Sequence, residues 1–123
     1  MEQQKKPVLC LTFDNMGEAL NVRRGKASLP DMTAPGITVG FPNLLRLLAT
    51  YDLRATFFVE GWSALHYGDV LDSISRGGHH IGLHGWIHEE FAELPERPAR
   101  FRAPGGRIGP YGRQIEAEEG FLL

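Results

Sequence analysis

Apolar positions along the chain fall into two patterns, short unbroken runs and longer stretches spaced like one face of a helix. "VLCLTF" (residues 8–13) is a near-continuous apolar run of strand length, as in a strand covered on both faces of a parallel sheet, and it ends at Asp14. Residues 15–40 mix Gly, Pro, Ser and Thr without a sustained period and read as one long loop. "FPNLLRLLATYD" then puts Leu44, Leu45, Leu47 and Leu48 on one helical side, with Pro42 in the first turn, where a missing N–H costs nothing. "RATFFVEG" reads as a second strand, and "SALHYGDVLDSISRGG" as a helix stopped by Gly77 and Gly78. "HHIGLHG" is a short third strand running into a loop or single turn at "WIHEEFAEL". "ARFRAPGG" gives a fourth strand, "YGRQIEAEEG" a further helix, and "FLL" the start of a fifth strand. Alternating strands and helices predict an α/β fold with a parallel sheet, whose ligands bind at the carboxyl ends of the strands.

The chain's 123 residues suffice for one domain but not for a complete eight-stranded barrel, which needs about 250. An incomplete or distorted (β/α) barrel, as a single domain over residues 1–123, is the expectation. With 13 Lys and Arg against 15 Asp and Glu, the formal net charge is −2, and nothing points to a nucleic-acid or membrane partner. No apolar stretch is long enough to span a bilayer, and the N-terminus reads as a strand, so a cytoplasmic location is expected. Cys10, the lone cysteine, lies inside an apolar run and reads as a small buried hydrophobe.

The candidate chemistry lies where the strands end. Asp14 and Asn15 follow strand one, His84 and His88 follow strand three, and Arg102 follows strand four. The His-x-x-x-His spacing of "HGWIH" lets two imidazoles meet one divalent ion, and it equally suits polar residues ending a strand. The His-Glu-x-x-His zinc-protease pattern fails, because "HEEFA" has alanine where its second histidine belongs. His66 stands apart on a predicted surface helix.

"LTFDN", "GHHIGLHGWIH" and "FRAPGG", in that order and each at a strand end, resemble the first three motifs of the polysaccharide deacetylase family, also called the NodB-homology domain or carbohydrate esterase family 4. The resemblance covers residues 7 to about 112. It implies Asp14 as general base, Asn15, His84 and His88 as metal ligands, and Arg102 as the arginine that orients the base. It further implies that the segment around Pro104 and Gly105 lines the site and offers a backbone N–H to an oxyanion, while His79 and His80 belong to the scaffold. The implied cofactor is a divalent metal, zinc first, with cobalt, manganese or nickel as alternatives. The implied reaction is hydrolysis of a carbon–nitrogen bond, as in deacetylation of an N-acetylated sugar or small metabolite.

The sequence departs from that pattern in three places. Asn15 stands where the family has aspartate, exchanging an anionic ligand for a neutral oxygen. The family's later aspartate and its histidine acid have no counterpart here, which raises the alternative of a catalytically impaired binding or assembly module. The long loop after Asp14 resembles the allantoinase-like branch that opens cyclic amides, and Glu18, Arg23 and Arg24 on it are either substrate contacts or a solvated charged surface. A domain this short leaves sheet edges open, so a homo-oligomer covering them, or a missing C-terminal half, is expected.

Overall fold

The computed structural model of the chain describes residues 6–89. Three strands, β1 (Leu11–Asp14), β2 (Ala55–Val59) and β3 (His80–Leu83), form a parallel sheet in the order β1-β2-β3. β2 is the middle strand, and its "ATFFV" suits that place, since β-branched and aromatic side chains pack well on a pleated surface. Ala55, Phe57 and Val59 are fully buried and alternate with the half-buried Thr56 and Phe58. Phe57 anchors the core, stacked on Phe13 at 5.1 Å, tilted against Phe41 at 6.1 Å and met by the edge of His79 at 5.5 Å. Strand–helix alternation and parallel pairing agree with the expected partial barrel, whose sheet is open among the described residues.

The connection from β1 to β2 runs through α1 (Ala19–Arg23), a π-helical turn (Gly36–Gly40) and α2 (Phe41–Thr50). The connection from β2 to β3 runs through α3 (Gly61–His66) and α4 (Gly68–Arg76). α4 turns Ile74 fully inward, and the chain leaves it through Gly77 and then Gly78, whose φ of 75° suits a residue without Cβ.

Four sequence expectations need correction. The supposed loop at residues 15–40 carries α1 and the π-helical turn, helices of five residues each, too short for a periodic signal. The helix expected over "SALHYGDVLDSISR" is two helices, broken where Tyr67 leaves helical geometry and buries its ring. On α2, Leu48 is buried and Leu44 and Leu45 pack against the core, but Leu47 is 54% exposed, because the sheet covers a narrower stripe than four leucines occupy. Cys10 is exposed and not buried, since β1 begins one residue later and Val8 and Leu9 before it are exposed as well.

The predicted fourth strand, last helix and fifth strand, with Arg102, Pro104 and Gly105, lie outside the described residues. Among the described residues no helix is long and apolar enough to cross a membrane.

Candidate active site at the carboxyl rim of the sheet

Register places the candidate residues. Asp14 pairs with Phe58, and Phe58 with Gly82, so these three mark one level across the sheet. Two residues further along lie Met16, Glu60 and His84, all three buried, at the rim where parallel sheets bind ligands.

At the β1 end, Asp14 and Asn15 are exposed and Met16 is buried. Asn15 has a φ of 65° and Gly17 one of 68°, so the chain reverses through two left-handed residues. Asparagine, like aspartate, tolerates that conformation better than most side chains, so the backbone at position 15 suits either.

At the β3 end, the His84 N–H donates to the Val59 carbonyl at 3.0 Å, extending the ladder by one step. Gly61 and Trp62 N–H groups then donate to the Gly85 and Trp86 carbonyls, each at 2.9 Å. The loop closes on itself where the Glu89 carboxylate accepts from the Trp86 N–H and, at 2.5 Å, from the Ile87 N–H. His84 is buried and His88 half-buried, and their rings lie 4.9 Å apart and nearly perpendicular. Burial, and then the neighbouring His84, Arg23 and Arg24, hold the His88 imidazole below its usual range and favour the neutral form.

Arg23 connects this loop to the β1–β2 connection, its guanidinium donating to the His88 carbonyl at 2.6 Å. His88 itself has a φ of 67°, and the arginine grips the peptide that follows this left-handed residue. Glu18, by contrast, faces inward to the fold, accepting from the Tyr67 hydroxyl and, at 3.4 Å, from the Asp31 N–H.

Glu60 and Ser63 have no place in the motif reading. Glu60 is 1% exposed, and its carboxylate accepts the Met16 N–H at 3.0 Å. Ser63, fully buried, donates to the Met16 carbonyl. Burial raises the Glu60 carboxyl above the ordinary carboxylate range, while backbone donors and the His84 imidazole partly offset that rise. The sequence did carry a signal: a charged residue directly ending the apolar run "ATFFV", at the end of a parallel strand where polar groups collect.

His79 and His80 sit at the opposite end of β3. His79 accepts the Ala55 N–H on Nδ1 at 3.3 Å and packs on Phe57, and His80 is exposed.

The chemistry of the two neighbouring rings fits a borderline divalent ion, which takes imidazole nitrogen readily. Among the described residues no group of three or more His, Cys, Asp or Glu side chains is placed to hold one. The register gives the reason: β1 and β3 are separated by β2, so their backbones stand roughly 10 Å apart at two strand spacings. A third donor from β1 would have to reach across that gap.

The polysaccharide deacetylase family model matches residues 1–103. A peptidoglycan deacetylase of Helicobacter pylori is 37% identical over 68 residues, which cover 53% of this chain and 23% of that protein. A candidate polysaccharide deacetylase from Mycobacterium smegmatis superposes with a TM-score of 0.68 at 28% identity, covering 91% of this chain and 48% of its own. An allantoinase superposes with a TM-score of 0.63 at 21% identity, over 93% of this chain and 51% of its own, a likeness of fold alone. The chain thus spans about a quarter of the curated relative and about half of each solved chain.

Proposed function

The chain belongs to the polysaccharide deacetylase family, and from that premise we propose that it hydrolyses the amide of an N-acetylated sugar, releasing acetate and a free amine. The observation that carries the proposal is the His84–His88 ring pair, 4.9 Å apart on the same sheet rim that receives Asp14. The peptidoglycan deacetylase relative supports an amino-sugar substrate.

In this reading Asp14, exposed at the end of β1, is the general base. It takes a proton from the water whose oxygen adds to the amide carbon. Collapse then breaks the carbon–nitrogen bond, and the leaving nitrogen receives a proton to depart as the amine. Carried over from the motif, Arg102 would orient the base, and the segment around Pro104 and Gly105 would line the site and offer a backbone N–H to the oxyanion. His84 and His88, with Asn15, would hold a divalent ion, zinc first, and when bound that ion supplies Lewis acidity toward the carbonyl and the water.

The test is acetate release from N-acetylglucosamine oligomers by the full chain, compared with Asp14→Ala and His84→Ala. Loss of general-base catalysis is expected to cut turnover by about 10²- to 10⁴-fold in Asp14→Ala. Equal turnover in all three proteins would remove the mechanism. Asn15 supports a second reading, a deacetylase-like binding module, because a neutral oxygen holds a cation less firmly than a carboxylate. Under that reading no acetate is released even with zinc, cobalt or manganese in excess, while sugar binding persists.

A further inference from the structure

We propose that Glu60 is a positioning residue for the hydrolysis: from the end of the central strand it sets the Asp14–Asn15 turn on one side against the His84 loop on the other. This inference rests on the deacetylase reading and adds a residue that the family motifs quoted above do not contain.

The geometry converges on one short segment, residues 60–63. Toward β1, the Glu60 carboxylate accepts the Met16 N–H at 3.0 Å and the Ser63 hydroxyl donates to the Met16 carbonyl. Both polar groups of residue 16 are thereby held by side chains that solvent does not reach, at 1% and 0% exposure. Met16 directly follows the left-handed Asn15, so these two bonds set the direction in which the exposed Asp14 and Asn15 leave the strand. Toward β3, the same segment gives its Gly61 and Trp62 N–H groups to the Gly85 and Trp86 carbonyls, at 2.9 Å each. The Glu60 carboxylate also sits within the electrostatic reach of His84.

A Cβ at position 61 would lie 2.4 Å from the Trp86 ring, so the segment and the loop approach as closely as glycine permits. A buried carboxylate is costly even with several partners, and a well-packed apolar side chain often serves stability as well. The carboxylate's place at this point matches the pattern in which strained or costly groups collect at functional sites. A displacement of about 1 Å in a reacting group lowers rates by about 10²-fold, so a turn that swings freely around Asn15 is a catalytic defect even in a folded protein.

The experiment compares Glu60→Ala, Glu60→Gln and Ser63→Ala with the unaltered full chain by amide hydrogen exchange at Met16 and by kcat and KM for acetate release from an N-acetylglucosamine oligomer. Glu60→Ala is expected to lose the slow exchange of the Met16 amide. Its kcat should fall by about 10- to 100-fold while KM changes by less than about threefold. Glu60→Gln keeps an acceptor oxygen, so it should retain the slow Met16 exchange and recover most of kcat. Ser63→Ala is expected to shift both readouts in the same direction as Glu60→Ala but less, and it carries the test with Glu60→Gln if Glu60→Ala does not fold. Unchanged Met16 exchange, or a kcat equal to that of the unaltered chain in folded Glu60→Ala, overturns the proposal. So does a loss shared equally by Glu60→Gln when Met16 remains protected. If the unaltered chain releases no acetate, the deacetylase reading falls and the catalytic role of Glu60 with it, whereas the Met16 exchange reports separately whether Glu60 holds the turn.

Discussion

Tyr67 breaks the β2–β3 connection into two helices, and its hydroxyl is the residue-scale link between that connection and the loop after β1. It donates to the Glu18 carboxylate and accepts the Asp31 N–H at 3.1 Å. Burial, reinforced by the Glu18 carboxylate that needs its proton, pushes the phenol from 10.0 up to about 12. The folded value lies above the unfolded one, so the stabilisation is complete below pH 10 and is lost as pH rises from 10 through about 12. Urea unfolding measured between pH 8 and 12 should show this decline, and Tyr67→Phe should remove that part of the slope. Gly17 is the neighbouring weak point: its φ is 68°, and a Cβ there would lie 2.4 Å from the buried Tyr67 ring. Gly17→Ala adds backbone strain to a clash and should cost roughly 2–4 kcal/mol, read as a fall in the denaturation midpoint.

At the scale of elements, stability is concentrated on β2. Phe57 touches Phe13 from β1, Phe41 from α2 and His79 beside β3, so Phe57→Ala should cost about 3–5 kcal/mol by denaturant unfolding. Leu47→Ala on the exposed side of α2 should stay within about 0.5 kcal/mol, and a larger loss would mean that this face is covered in solution. This contrast shows which parts of the fold the sequence reveals. β2 is legible from its run of β-branched and aromatic residues, α2 from its leucine spacing after Pro42, and β3 from its place just after Gly77 and Gly78. α1 and the π-helical turn were not, because five residues carry less than two turns of pattern and are held by tertiary contacts such as the Tyr67 hydroxyl. In the candidate site, the motif order located Asp14, Asn15, His84 and His88 at strand ends, and the structure brings the two histidine rings together. Glu60 and Ser63 escape motif reading, and Arg23 is read there only as a substrate contact or charged surface, because each acts on a backbone group far away in sequence, at separations of 44, 47 and 65 positions.

For the whole molecule, family membership and one strand-end rim carry the proposal: Asp14 ends β1, and the His84 and His88 rings, 4.9 Å apart, follow β3. In the proposed site the depressed His88 favours the neutral ring that metal ligation requires, and the neutral Asn15 would hold an ion less firmly than a carboxylate. The most direct measurement is therefore a zinc titration of chelator-treated full chain against a chromogenic competitor, with His84→Ala and His88→Ala alongside. The expected result is one equivalent of zinc for the unaltered chain, with affinity reduced by at least about 10-fold in each variant. An unaltered chain that takes up no zinc, or histidine variants that bind it as well as the parent, would contradict the account.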